Sequence, residues 1–343
     1  MPILRRPKKT LQPAATEVAV IGTGSSATGL GVAAKGTLLA LQSAYGEERS
    51  KGFKIEHLSQ VQPAPVNIIQ YSPTYDLQWV VNARAAGRKV IAYWVFEGSR
   101  PFEEMDKSAS LFDSIWVPSM FCWERSRSLY TDYVPHPIED PGWRRPKRPV
   151  RTSAIIVNSS SNWNRKNVHA SIRAWVESKP PEDAKLIVKV QNGTVEQLLS
   201  VRWWMGKHKN IELLTDELAP EDMESFWKSI DCLISLHKSE GFGLTIAEAM
   251  MRDIPTVVTD YSGNRDFAKP FNSCAIGHKM VDIDDIFFPF GKWAYPDITS
   301  AAANIALLHE VGPTFDGSPS GFVKQLCDPE TVGEKMKQKI ENL

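Results

Sequence analysis

Val18-Ala-Val-Ile21 runs straight into Gly22-Thr-Gly24-Ser-Ser-Ala27-Thr28-Gly29-Leu-Gly31, and the helix-like segment Val32 to Ser43 follows at once. An apolar β-branched run, a glycine-rich turn and a helix form the opening unit of an α/β layer. Further short apolar runs recur at Val66 to Gln70, Lys89 to Phe96 and Ser114 to Val117, with amphipathic or helix-like stretches between them. Alternation of this kind predicts a parallel sheet covered by helices on both faces.

The pattern breaks between Val134 and Val150, where Pro135, Pro137, Pro141, Pro146 and Pro149 are interspersed with Arg144, Arg145, Lys147 and Arg148. Five prolines in so short a span continue neither a helix nor a central strand. Alternation then resumes, with strands expected at Ser153 to Val157, Lys185 to Val190, Ile211 to Leu214, Cys232 to Leu236 and Thr256 to Thr259. Helices are expected at Asn167 to Glu177, Pro220 to Lys228 and Leu244 to Arg252. The chain has 343 residues, and a prior of about 150 residues per domain gives two. The expected organisation is a Rossmann-like domain over residues 1–140, a proline-rich basic linker over 141–150 and a second Rossmann-like domain over 151–325. Residues 326–343 are expected to form a charged helix, clearest from Glu330 to Leu343, that packs back toward the first domain. Ligands of open parallel sheets bind beyond the carboxyl ends of the strands, so a cleft between the two domains is the expected site.

Forty Lys+Arg balance 40 Asp+Glu, and 42% hydrophobic residues with 10% aromatic exclude disordered, collagen-like and fibrous classes. A net charge of zero argues against a chain held to nucleic acid by its overall field. Cys122, Cys232, Cys274 and Cys327 lie far apart without a C-x-x-C pair, so neither a structural zinc site nor a disulfide framework is expected, and a cytoplasmic setting fits. No stretch of about 18 apolar residues predicts a membrane span. The basic start (Arg5, Arg6, Lys8, Lys9) reads as a solvated tail, with peripheral contact to an anionic membrane face as the alternative. The same two readings apply to Arg144, Arg145, Lys147, Arg148 and Arg151: a solvated hinge, or a grip on an anionic acceptor or headgroup.

The densest functional text is Ser235-Leu-His237-Lys238-Ser-Glu240-Gly241-Phe242-Gly243-Leu244-Thr-Ile-Ala-Glu248-Ala-Met250. A buried strand ends in polar residues, a Gly-Phe-Gly turn follows, and a helix begins. Glycines let backbone approach a ligand closely, and exposed N–H groups at a helix start attract anions. Glu240 and Glu248 flank that turn with carboxylates, which suit hydroxyl donors better than phosphate. A ligand with diphosphate in its middle and a sugar at each end satisfies both, which describes a nucleotide sugar.

This stretch resembles the paired-glutamate signature of the retaining glycosyltransferases of family four (glycosyl transferases group 1). Tyr261-Ser-Gly-Asn264, Tyr93-Trp94 to Glu97, Ile115-Trp-Val-Pro-Ser119 and Val134-Pro-His-Pro137 are also similar to the family, in the expected order. The resemblance spans roughly residues 18 to 310 and implies a GT-B fold, in which two Rossmann-like β/α/β domains face each other across a cleft, the first on the acceptor side. It implies that Glu240 contacts the donor sugar, that the amides of Gly241, Phe242, Gly243 and Leu244 meet its hydroxyls and phosphates, and that Glu248 holds the nucleotide ribose. The base is expected around Leu214 to Leu218. Thr28-Gly29-Leu-Gly31 matches the family's glycine loop, which faces the donor. Glu97 is expected in the same cleft, against donor sugar or acceptor. His237 is read either as a hydrogen-bonding group near the sugar or as a satisfied structural group at a strand end.

Asn158-Ser-Ser-Ser-Asn-Trp-Asn-Arg165-Lys166-Asn167 joins a strand to a helix. Two cations there can neutralise charge that develops on a departing diphosphate. Lys166 matches the family's phosphate lysine, Ser160 or its neighbours stand where the family carries an arginine, and Arg165 is the expected substitute. The departure leaves open a catalytically weak nucleotide-sugar-binding subunit. A third reading is an NAD- or FAD-dependent oxidoreductase, because Gly22-Thr-Gly24-Ser-Ser-Ala27 fits G-x-G-x-x-A, though its supporting acid is poorly placed. Asp282-Ile-Asp284 spells a D-x-D metal motif but falls after the donor signature, in a segment read as loop from Val281 to Ile286. The resemblance implies a GT-B site that relies on cations and helix dipoles instead, so no metal and no cofactor are expected. Met250, Met251, Trp203 and Trp204 read as packing residues. The expected partners are a nucleotide-sugar donor and a saccharide, lipid-linked or other hydroxyl acceptor.

Overall fold

The computed structural model describes residues 16–343 except 24–27, 55–57, 59, 71–76, 100, 102, 158–162 and 286–290. In the first domain the elements are β1 (Val18–Gly22), α1 (Gly29–Tyr45), β2 (Ser50–Lys54), β3 (Val66–Gln70), α2 (Gln78–Ala85) and β4 (Lys89–Tyr93). They continue with α3 (Glu103–Ser108), β5 (Ser114–Val117), α4 (Met120–Arg125) and β6 (Thr131–Tyr133). All six strands pair in parallel, in the order β2-β1-β3-β4-β5-β6.

The second domain holds β7 (Thr152–Val157), α5 (Trp163–Lys166), α6 (Val168–Glu177), β8 (Lys185–Val190), α7 (Val195–Lys207) and β9 (Ile211–Leu214). After these come α8 (Pro220–Ser229), β10 (Cys232–Ser235), α9 (Leu244–Met251), β11 (Thr256–Thr259) and β12 (Cys274–Ile276). Its parallel sheet runs β12-β11-β10-β7-β8-β9. Counted from β7, that is the 3-2-1-4-5-6 order of a Rossmann sheet, whose direction of winding reverses between β7 and β10. In the first sheet the reversal falls between β1 and β3. Loops that leave a reversal point diverge and open a crevice.

Each sheet is apolar on both faces. Ile21, Ile69, Ala92 and Trp94 join one cluster of the first domain, whereas Val20, Ile68, Ile91 and Tyr93 join the cluster on its other side. The second domain is divided in the same way, with Ile155, Val188 and Ile234 on one face and Ile156, Ile187 and Leu233 on the other. Full burial of each such aliphatic side chain contributes about 1.5–3 kcal/mol.

An antiparallel hairpin of β13 (His278–Asp282) and β14 (Lys292–Pro296) then leads to α10 (Ile298–Glu310), α11 (Pro319–Cys327) and α12 (Pro329–Glu341). The break between the last two is chemical: Asp328 caps α12 through its carboxylate, and Pro329 supplies no N–H to continue the preceding turn. Helix α11 packs on α9, and α12 crosses to lie along α1, where Val332 and Met336 enter the first domain's core.

Three expectations are corrected. Arg145 is not part of a solvated hinge: it is buried against Asp231, which Arg148 also reaches at 2.9 Å and whose other oxygen accepts the N–H of Thr152 at 2.9 Å. The basic linker is fastened to the second domain because a buried carboxylate there needs cations and donors. Val281 and Asp282 are not loop but the end of β13, and Asp282 pairs with Lys292 at 2.9 Å. Trp203 is not a packing residue: one step along a helix turns the side chain by about 100°, so Trp204 packs inward while Trp203 is 54% exposed.

A Cβ added to Gly333 would collide with the carbonyl of Ala40 in α1. Although Ala gains about 1 kcal/mol over Gly in a helix interior, Gly333→Ala is expected to lower stability by about 1–3 kcal/mol through forced separation of the two helices. Urea unfolding measures this, and an unchanged midpoint would show that the two helices do not depend on close approach there.

Candidate functional site

The turn after β10 is locked before it meets any ligand. The N–H of Glu240 donates to Ser262 Oγ at 2.7 Å, and the N–H of Gly263 donates back to the Glu240 carbonyl at 2.9 Å. Ser262 pays for this with a φ of +70°, an uncommon conformation for a residue with a side chain. Gly243 has a φ of +96° at the N-cap of α9, which lets the chain turn sharply into that helix. Gly241 is required for a different reason. Its Cβ would collide with Val95 of the first domain, and its carbonyl accepts the Ser119 hydroxyl at 2.5 Å. The expected donor turn is therefore also a place where the two domains touch.

Four of the expected charged residues come together here. Lys166 Nζ lies 2.6 Å from Glu240 Oε1, and Arg165 Nη1 lies 3.2 Å from Glu240 Oε2. Arg165 Nη2 reaches across to Glu97 Oε1 at 3.3 Å, and its Nη1 donates to the Ser239 carbonyl at 2.7 Å. Burial alone would raise the Glu240 carboxyl, but Lys166 and Arg165 beside it outweigh that and hold it down to about 2. The two cations differ in access: the Arg165 side chain is 4% exposed and that of Lys166 17%. Arg165 thus faces Glu97 and Glu240, where the sequence expectation turned it toward a diphosphate.

The remaining expected residues separate. A Cβ at Gly29 would stand 3.8 Å from Leu244 Cδ1, so the first domain's glycine loop faces the start of α9 across the cleft. Thr28 caps α1, its Oγ1 accepting the N–H of Gly31 at 3.1 Å. The Phe242 ring is buried and packs 5.2 Å from Phe267, which leaves only its backbone for a ligand. His237 is wholly buried, with Nε2 3.0 Å from Asn264 Oδ1 and Nδ1 2.9 Å from the Ser235 carbonyl, so of its two readings the structural one matches. Residues 158–162, Ser160 among them, lie outside the described residues, as do Gly24 to Ala27 of the dinucleotide-like pattern. The second strand ends on Lys54, not on the acid that a dinucleotide ribose needs.

Glu248 opens on a cavity of about 270 Å³ between the domains, one helical turn beyond Leu244. Lys35 and Gly36 of α1 form one wall, Glu139 and Leu218 contribute at its edges, and Lys189 and Gln191 rise from the end of β8. Burial pushes the Glu248 carboxyl up to about 6, against the pull of Arg252. Lys189, Gln191 and Lys35 were not singled out from sequence. The signal was present for Lys189, a lone cation inside Leu186-Ile-Val-Lys-Val190, where every neighbour is buried and apolar. Burial lowers its pKa, so it is costly unless something anionic or polar meets it there.

Residues 140–285 match the family model described as Glycosyl transferases group 1. HepE of Anabaena, solved in complex with UDP, has the same fold with a TM-score of 0.69 at 11% identity, over 96% of this chain and 100% of that chain. The lipopolysaccharide outer core galactosyltransferase WaaB gives 0.60 at 14% identity, over 96% and 100%. The pneumococcal O-GlcNAc transferase GtfA, in complex with UDP and GlcNAc, gives 0.58 at 15% identity over 84% of this chain and 59% of that chain. Among curated proteins none matches the sequence. The fold is GT-B, and the family match together with that fold supports a glycosyltransferase.

The ion cluster sets a pH dependence. The Glu240 carboxyl is lower in the folded chain than in the unfolded one, so its pairing stabilises fully above the usual glutamate value and is lost as the pH falls toward about 2. Arg165→Met leaves Glu240 and Glu97 short of a partner and is expected to cost about 3 kcal/mol at neutral pH. The gap to the parent chain should narrow as pH falls below about 4.5, measured by chemical unfolding at several pH values. A gap that stays constant with pH would contradict the pairing.

Proposed function

We propose that this chain is a retaining glycosyltransferase that moves a hexose-type sugar from a nucleoside diphosphate donor, with UDP the first candidate base, to an acceptor hydroxyl. The observation that carries the reading is the Lys166–Glu240–Arg165 cluster, set beside the second sheet's reversal point and meeting Glu97 of the first domain. HepE with UDP-glucose, at 12% identity and a TM-score of 0.67, supports the choice of donor class.

The chemistry follows from the charges. When the bond between the anomeric carbon and the diphosphate oxygen breaks, negative charge collects on the leaving phosphate. Lys166 is the more accessible cation and meets that charge together with the amide groups at the start of α9. Arg165 acts as a positioning residue, holding Glu240 and Glu97 in place. Glu240, ionised throughout the physiological range, accepts hydrogen bonds from sugar hydroxyls. The acceptor oxygen bonds to the anomeric carbon on the face the diphosphate leaves, and its proton passes to the departing phosphate oxygen. No protein nucleophile is needed, and no divalent metal enters this scheme. The cavity at Glu248 takes the ribose and base, with Lys189, Gln191 and Leu218 at its wall. The acceptor is proposed to be a saccharide, lipid-linked or other hydroxyl compound used in polysaccharide or glycoconjugate assembly.

Incubation of the purified chain with UDP-, GDP- and ADP-sugars in EDTA tests this, with released nucleotide and the product's anomeric configuration as readouts. Transfer with retention from one nucleotide class is expected, and Lys166→Ala should reduce turnover by about 10²–10³. Turnover that needs added manganese would overturn the metal-independent scheme, and donor binding without turnover would favour the binding-subunit reading.

Glu248 generates a second expectation. Its ionised form accepts the ribose hydroxyls, so affinity for a nucleotide sugar should rise as the pH climbs through about 6. Glu248→Gln should bind more weakly at neutral pH and lose that slope, as calorimetry at pH values on either side can measure. A slope that persists in the variant would remove Glu248 from the donor contact.

A further inference from the structure

Helix α7 is apolar on two opposite sides. Val201 is buried, and Leu198, Trp204 and Met205 pack with it on the second domain's core. On the solvent side Val195, Leu199 and Trp203 are 68%, 54% and 54% exposed. Residues four apart stack along one line of a helix, so these three form an apolar stripe about two turns long, and Gly206 on the same side adds no bulk beyond it. Isolated exposed apolar residues need no explanation, whereas contiguous ones mark a contact surface.

Charge selects the partner. Arg202 flanks the stripe on one side and Lys207 on the other, with its ammonium 3.7 Å from the centre of the Trp203 ring, and Lys209 follows just past the helix. The single acid of the helix, Glu196, sits at the opposite end, in the first turn. We propose that α7 seats this protein on an anionic lipid surface. Val195, Leu199 and Trp203 enter the headgroup boundary, the indole N–H stays among polar groups, and the cations meet lipid phosphates. A second copy of the chain is the competing occupant that the test below separates: a parallel twofold contact would bring Arg202 and Lys207 against their own counterparts, whereas an antiparallel one would set Arg202 opposite Glu196. The stripe begins four residues after Gln191, at most about 15 Å of chain from the interdomain cavity. Docking there holds the cavity close to the lipid headgroups.

The test is flotation of the full chain with vesicles of phosphatidylcholine alone and of phosphatidylcholine with phosphatidylglycerol. Flotation with the anionic vesicles only is expected. Trp203→Glu should reduce it by roughly tenfold or more, and the paired change Arg202→Glu with Lys207→Glu should do so by a similar factor at low salt. The charge variant keeps the test valid if Trp203→Glu fails to fold, which thermal unfolding reveals. Failure of the parent chain to float, equal flotation with neutral vesicles, or flotation unchanged in the variants that fold would each overturn the proposal. So would a dimer in sedimentation equilibrium that Trp203→Glu disperses, since the stripe would then be a self-association surface.

Discussion

Glu240 is a charged group almost out of reach of water, and the cleft is organised around the need to keep it charged. One ion partner would leave the second carboxylate oxygen unmatched, and the last two residues of α5 are both cations. Arg165 then has a guanidinium edge left over, and Glu97 from the other domain takes it. A single buried carboxylate thereby links the two sheets. Breaking such a pair costs more than forming it gains, so the arrangement specifies a geometry more than it adds stability.

The topology explains why these residues can meet. Lys166 and Arg165 follow β7, and Glu240 follows β10, the two neighbouring strands between which the second sheet reverses. Gly29 follows β1, at the corresponding reversal of the first sheet. Gly29 faces Leu244 across the cleft, and the Ser119–Gly241 hydrogen bond together with that from the Met120 N–H to Asp266 ties the two domains together beside it. Residues far apart in sequence thus converge without any long excursion of the chain.

How much of this was legible depended on whether the constraint was local. The glycine turn, the paired glutamates and the alternating elements carry their meaning within a few neighbouring residues. Arg165 does not: its partners lie 68 and 75 positions away, so nothing beside it in the chain distinguishes a phosphate ligand from a clamp. Strand β2, Ser50-Lys-Gly-Phe-Lys54, lies at a sheet edge with one buried residue and carries no apolar run. Helix α7 was missed because residues apolar on both sides erase the periodicity that marks an amphipathic helix. The helix expected from Asn167 to Glu177 is interrupted at Asn167, whose φ of +52° and side-chain bond to the Leu236 carbonyl answer a demand set by the neighbouring strand.

The passage of α12 onto α1 has a consequence for biosynthesis. The second domain's sheet and its helices through α11 are contiguous in sequence, and can close as soon as they emerge from the ribosome. The first domain cannot, because Val332 and Met336 belong to its core and follow its last strand by roughly 200 residues. At about 5–20 residues per second, α1 waits roughly 10–40 s beyond the completion of that strand with its apolar side uncovered. The domain that begins the chain is therefore the last to be finished, and during that interval the exposed face of α1 is a natural landing place for a chaperone.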